Sequence, residues 1–428
     1  MPRGDRPGLR SLLRTVPSAV RHDYAATFAI QCFVLGTGLL LFHLVARRDS
    51  VDGFAFYQIA RGMVTTLQPA LLLGLGVGLY RYLPRAEHRG RRLARQVWYL
   101  EAALVTVVTL AGAAAGEQIA ALLGLPGGRS AVTAVLIMLG GNCLCTITLA
   151  ALRGNRQEAV SNVALGAGFG LTPLIAFAAT DRLEDFLIVQ GLGTAMVGVA
   201  GLLAVRSDPA PAATAEPGIR TLISYGVRRM PGELALPGFY TLPTLAVAVT
   251  MPESPQAGYV GFTTSAVTLI CSVFAMLTPV LMPRISRLFH RPEEHGTVRQ
   301  LLTVLPLLAG SAAAVPAAVI VAFAPLMVRA FLGPEFGDAI PVLRLGVLAA
   351  VPLAMFYAAR PTLDTLLEAK VVSRLLVGVL LLQFVVTGIG TVFLATPHAA
   401  VLGLLVAAFV LGCHAAGLAA YALRRQRS

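Results

Sequence analysis

The sequence predicts an all-α polytopic membrane protein of about twelve transmembrane helices, arranged as two parallel six-helix bundles. Three observations predict it. Of 428 residues, 56% are hydrophobic and only 13% charged, where a soluble domain carries about 25% charged residues. The apolar residues gather in blocks: 131–151, 159–180, 186–205 and 371–395 hold little or no charge, and about twenty such residues cross a bilayer as a helix. The basic residues concentrate in alternate loops, as the cytoplasmic loops of a polytopic chain do.

Taken in order, residues 1–23 hold five arginines and two aspartates, and no small-residue cleavage site follows the first apolar block. They read as a retained cytoplasmic tail. Spans follow near 24–46, 55–80, 97–120, 131–152, 159–180 and 186–205, then 221–249, 257–283, 301–328, 338–358, 371–394 and 399–423. The second, seventh and ninth carry charge or proline, which neighbouring groups in a helix bundle satisfy. Between the sixth and seventh lies RSDPAPAATAEPG (Arg206–Gly218), a polar linker rich in proline and alanine. The expected organisation is therefore a tail (1–23), an N-terminal bundle (24–205), a cytoplasmic linker (206–219), a C-terminal bundle (220–423) and a tail (424–428).

The two halves look like copies. GFAFYQIA begins at Gly53 and GYVGFTTS at Gly258; Leu122-Leu123-Gly124 and Phe331-Leu332-Gly333 precede corresponding later spans, all offset by roughly 203 to 209 residues. Six spans per copy is an even number, so the copies enter from one side and their pseudo-symmetry axis runs along the membrane normal.

Alternate loops and the two tails carry 27 of the 34 basic residues, which places both termini in the cytoplasm of a cell-membrane protein. The densest run, Arg81–Arg95, has six arginines and one glutamate. It sits against anionic lipid headgroups; it is too short for a folded nucleic-acid-binding module, and no nucleic-acid partner is expected. The five cysteines (Cys32, Cys143, Cys145, Cys271, Cys413) fall in apolar blocks with no histidine beside them, so they read as packing residues and not metal ligands. Gly74, Gly76 and Gly78 form GxGxG within an apolar span, a helix-packing feature. No Ser/His/Asp set, carboxylate pair, phosphate loop or metal spacing is present, so neither an enzyme nor a cofactor is expected.

Three stretches carry a family resemblance: GLGVGLYRYLPR ending span two, GYVGFTTSAVTLICSVFAMLTPVLMPRISRL across span eight, and FLGPEFGDAIPVLRLGVLAA entering span ten. With them the chain resembles the multidrug/oligosaccharidyl-lipid/polysaccharide exporter superfamily, and within it the polysaccharide and O-antigen flippase branch. The resemblance implies a V-shaped pair of six-helix bundles, alternating access, and export of a lipid-linked glycan, with glycan polymerase and glycosyltransferases as partners.

Polar residues inside the spans mark the candidate site. Gln58, Arg61, Thr65 and Gln68 in span two lie three, four and three residues apart, on one helix face. Span one offers a weaker stripe of Tyr24, Thr27, Gln31 and Gly38; span eight offers Thr264, Thr268 and Ser272. A membrane-buried arginine is expensive and faces a cavity or a partner; its planar fork suits a phosphate bidentately. The bland alternative is that Arg61 lies near the outer surface and snorkels. Arg344 in span ten is open to the same two readings. Span seven holds Arg228, Arg229 and Glu233 among Pro231, Pro237 and Pro243, which suggests a bent helix. Arg229 and Glu233, four apart, can pair on one face; Glu233 is the candidate for ion coupling. Glu101, early in span three, is expected to pair with Arg95 or a neighbouring helix.

The functional expectation is a flippase for a polyprenyl-phosphate-linked oligosaccharide. A cation-coupled drug exporter of the same fold would want acidic residues in spans one or seven, where only Glu233 lies past Asp23. A membrane glycan polymerase or ligase would want a substantial outer loop, and the loops on that side are short.

Overall fold

The computed structural model describes residues 18–83, 90–205, 218–252, 254–276, 295–367, 369–394 and 396–425. Among them there is no strand. Eleven helices are long and apolar enough to cross a membrane. The twelfth expected span differs: it is α2 (Ser50–Leu71) followed by a break at Leu72–Gly74 and a short α3 (Leu75–Tyr82). Gly74 adopts φ +67°, and a Cβ there would meet the Gly226 backbone at 2.7 Å. Only glycine accepts both that conformation and that approach.

The N-terminal half otherwise comprises α1 (Ser18–Arg48), α4 (Gly90–Ala114), a short α5 (Gly116–Leu123), α6 (Arg129–Gly154), α7 (Glu158–Ala179) and α8 (Leu183–Ala204). The C-terminal half comprises α9 (Ile219–Thr250), α10 (Gln256–Ala275), α11 (His295–Phe331), α12 (Ala339–Leu366), α13 (Ala369–Leu394) and α14 (Pro397–Arg425). Span three begins earlier than its hydropathy suggests, because Arg91, Arg92 and Arg95 are already helical at its polar start.

Prolines explain several local features. Pro173 removes the donor that would serve the Phe169 carbonyl, and the turn around it, Gly166–Leu171, opens into a π-helix. α9 continues as helix through Pro231, Pro237 and Pro243. The carbonyl that Pro243 leaves without a helical donor, Phe239 O, accepts instead from Gln383 Nε2 on α13 at 2.9 Å. Likewise Val321 O, orphaned by Pro325 in α11, accepts from Arg344 Nε on α12 at 3.1 Å. Neighbouring helices thus repair what proline breaks, as a bilayer interior demands.

Small residues set the tightest crossings. Gly141 of α6 and Gly191 of α8 meet backbone to backbone, and a Cβ at Gly198 would lie 3.1 Å from the Cys145 backbone. Lipid supplies no hydrophobic drive between helices, so such close van der Waals approach is what holds them.

The two ends of the molecule are packed differently. At the end away from the termini, here the distal end, one buried cluster runs through both halves, from Phe42, Phe54 and Phe186 to Phe262, Val328 and Phe336. Phe54 lies at its centre, with ring centroids 6.3 Å from Phe42, 6.4 Å from Phe262 and 5.4 Å from Phe336. Toward the terminal end the core divides. One cluster, from Leu75 to Val205, belongs to the N-terminal half and takes in Leu222 from the start of α9, with Ile219 and Ile223 packed against it. Another, from Ala235 to Ala419, belongs wholly to the C-terminal half. This is the V shape expected of the two bundles.

The repeat copies meet at the joined end. A Cβ at Gly258 would lie 2.9 Å from Ala55 Cα, and one at Gly261 2.7 Å from Gln58 Cβ, so at these two points α10 puts no side chain of its own between itself and α2. Two side chains of α1 also reach α11: His43 Nδ1 hydrogen-bonds Phe331 O at 2.6 Å and Arg47 donates to Ala330 O at 3.2 Å. Both bonds satisfy carbonyls at the C-terminus of α11, the end that attracts donors and cations.

Candidate functional site

A cavity of about 410 Å³ lies between the halves, on the terminal side of the aromatic cluster. α1, α2, α6, α7 and α8 wall it on one side, and α9 and α10 on the other. The stripe predicted on span two lines it in full: Gln58, Arg61, Thr65 and Gln68 all border it.

Arg61 is eleven residues into α2, which starts at Ser50 and not near 55. That is about 16 Å along a helix, further from the helix start than the sequence suggested. Its guanidinium lies 4.4 Å from the Phe42 ring centroid and 5.8 Å from that of Tyr57. Nη1 donates long hydrogen bonds to Gln58 Oε1 (3.4 Å) and to Ser265 Oγ across the cavity (3.5 Å). The ring faces hold the cation by their quadrupole. No carboxylate among the described residues pairs with it. Five guanidinium donors against two long bonds leave most of its capacity open.

Around it, Gln68 Nε2 donates to Thr146 Oγ1 at 2.9 Å, and Thr66 and Thr241 share a hydrogen bond of 2.5 Å from α2 to α9. Thr264 and Thr268 of α10 line the far wall as expected, whereas Ser272 does not. The reading missed Asn142 on α6 and Gln190 on α8, both buried and both bordering the cavity. A signal existed: each is the lone amide of its apolar span.

Other expected site residues fall elsewhere. Gln31 is half-buried and outside the cavity lining; its stripe partner Thr27 bonds Asn162 of α7 at 3.0 Å, so the first turns of that stripe face α7. Gly38 from the same stripe does line the cavity. Arg344 is exposed on the far side of α12, turned to Val321 of α11, and does not reach the cavity. Its neighbours Val342 and Leu343 take the buried face. Glu233 is half-buried, engaged with a partner, and outside the lining. The side chains of Arg229 and Tyr24 lie outside the described residues.

Of the two partners expected for Glu101, Arg95 or a neighbouring helix, the structure gives the second: it is wholly buried against Cys143 of α6, whose thiol is its polar neighbour. In the loop between α1 and α2, burial holds the Asp49 carboxyl above its usual range, against the opposing pull of Arg48 3.1 Å away.

The chain matches no family model and no curated protein. Solved structures do match over nearly its whole length. One is an inward-facing conformation of a multidrug resistance MATE family transporter of the MOP superfamily, at TM-score 0.67 and 15% identity, covering 95% of this chain and 100% of that one. Another is the lipid II flippase MurJ in an inward closed conformation, at TM-score 0.67 and 12% identity, covering 94% of this chain and 87% of that one. A third is a MOP superfamily transporter from Pyrococcus furiosus, at TM-score 0.58 and 15% identity, covering 95% and 97%; its description reports a binding pocket of reverse polarity that suggests a different function. The chain has the fold of the multidrug/oligosaccharidyl-lipid/polysaccharide exporter superfamily.

Proposed function

We propose that this membrane transporter flips a polyprenyl-phosphate-linked glycan precursor across the cytoplasmic membrane by alternating access. One observation carries the reading: Arg61 lines the central cavity with no carboxylate among the described residues to neutralise it. An unpaired cation deep in a membrane protein is a standing cost, which an anionic cargo removes on binding. A phosphate or diphosphate fits the guanidinium fork bidentately.

A cavity of about 410 Å³ suits a phosphate and one sugar ring; small-molecule pockets run from about 300 to 1,000 Å³. The rest of the glycan would extend toward the terminal end, where the two halves have separate cores, and the prenyl chain would stay in lipid. The basic loops assign that terminal end to the cytoplasm, so the cargo loads from inside. Membrane glycosyltransferases would supply it, and a glycan polymerase would take it up on the other side. The multidrug reading of the same fold is less well supported, because among the described residues no carboxylate lines the cavity to meet a cationic drug.

The test is Arg61→Ala in purified protein reconstituted in vesicles, with transbilayer movement of a labelled lipid-linked sugar as readout. Export falls at least tenfold while expression and monodispersity hold. Arg61→Lys rescues only in part, since a point charge cannot reproduce the planar fork or its stacking on Phe42. Unchanged export by Arg61→Ala refutes the proposal.

A further inference from the structure

Three amides converge on the Arg61 cavity from three helices: Gln58 of α2, Asn142 of α6 and Gln190 of α8. They are 3%, 7% and 7% exposed. Each keeps one polar atom without a hydrogen-bond partner: Gln58 Nε2, Asn142 Oδ1 and Gln190 Oε1. Buried polar groups are normally paired, and an unpaired one is costly. Other unpartnered atoms exist in the spans, at Thr37 and Trp98 for example, but they lie away from this cavity. Those that border it are the three amides.

On the opposite wall the α10 hydroxyls are engaged within their own helix: Ser265 and Thr268 donate to the carbonyls of Gly261 and Thr264 at 2.7 and 2.8 Å, and Thr264 to Gly261 at 3.1 Å.

The chemistry of the vacancy is specific. An amide presents a donor and an acceptor side by side, and so does each hydroxyl of a sugar ring. A phosphate accepts only, so it cannot satisfy the carbonyl side of Asn142 or Gln190. A lipophilic cation would seek a carboxylate, and none among the described residues borders the cavity. A polyol adjacent to a phosphate meets both requirements at once.

We propose that Gln58, Asn142 and Gln190 form a saccharide subsite that holds the hydroxyls of the first sugar, beside the phosphate held by Arg61. This rests on the phosphate-lipid reading of Arg61 and adds which part of the cargo the N-terminal half reads. The transporter then distinguishes a lipid phosphate that carries a sugar from the bare carrier, and does not return the carrier on the same stroke.

The experiment uses the full chain in nanodiscs of neutral lipid, with two probes, polyprenyl diphosphate and polyprenyl diphosphate bearing one hexose. Binding is read by native mass spectrometry. The hexose tightens binding at least tenfold. Asn142→Leu and Gln190→Met, which keep volume and remove the amide, erase that gain and leave the Kd for the bare carrier unchanged. Should Asn142→Leu not fold, Asn142→Ser serves, since it also loses the carbonyl. Arg61→Ala weakens both probes alike. The subsite is overturned if the hexose brings no gain, or if the amide variants weaken both probes equally. If Arg61→Ala changes neither probe while the amide variants still erase the hexose gain, the phosphate reading fails and the subsite stands.

Discussion

Under the proposed alternating access, Gly261 offers a direct handle on the equilibrium between closed and parted distal ends. A methyl group there would lie 2.7 Å from Gln58 Cβ, 3.0 Å from its Cγ and 3.1 Å from its Oε1. Carbon atoms pack at about 3.5–4.0 Å, so α2 and α10 must part by up to about 1 Å or Gln58 must leave its place. Overpacking of this kind costs about 1–3 kcal/mol. The contact crosses the boundary between halves, so the cost falls on the state in which they meet and not on either half alone. A bias of that size shifts a two-state equilibrium roughly 5- to 150-fold. Nitroxide labels at the exposed residues Asp181 and Glu335, at the distal end of each half, report the separation by pulsed electron spin resonance. Gly261→Ala raises a long-distance population that the parent lacks. Gly36→Ala, where nothing lies within 4 Å of the added methyl, is the control and changes nothing. If Gly261→Ala lowers thermal stability yet leaves the distance distribution untouched, the crossing is ordinary packing and the reasoning is wrong.

His43→Ala and Arg47→Ala each remove one bond from α1 to the end of α11; at about 1 kcal/mol per bond, each shifts the same label distances about fivefold, and the pair together more. No shift in the double variant means these side chains merely cap a helix end. Glu101→Gln leaves the thermal unfolding midpoint unchanged or raised, because a neutral amide is cheaper to bury than a carboxylate whose polar neighbour is a thiol; a fall of several degrees would assign the carboxyl a task that the structure does not display. For orientation, single cysteines at Arg89 and Gly127 in a cysteine-free background separate the two sides. An impermeant thiol reagent labels position 127 in intact cells and spares position 89, and the reverse pattern inverts the topology.

Most of the architecture was legible because the bilayer imposes it. Long uncharged blocks admit few structures other than helices, and alternate basic loops order them. The stripe on span two was legible for the same reason: polar residues at helical spacing in an apolar span must face something. What escaped was whatever depends on a distant partner. Arg344 reads like Arg61 in one dimension, yet it serves a carbonyl that Pro325 exposes on another helix. Gln31 shares a stripe with Gly38, but the helix passes behind α7 before it reaches the cavity. Asn142 and Gln190 stood alone in their spans, without periodicity to draw notice. For Glu101 the sequence left Arg95 and a neighbouring helix open, and only the fold picks Cys143 of α6.

The shared distal core carries a thermal consequence. Parting that end would expose the rings of Phe42, Phe54, Phe262 and Phe336 to water entering between the halves. Exposure of apolar surface raises heat capacity, so the enthalpy of opening changes with temperature and its equilibrium follows a curve, not a straight van't Hoff line. The attraction that seals the rings also fades on cooling. Cold therefore loosens this seal while it slows every barrier crossing, and on the proposed alternating-access cycle turnover need not follow a single activation energy across its working range.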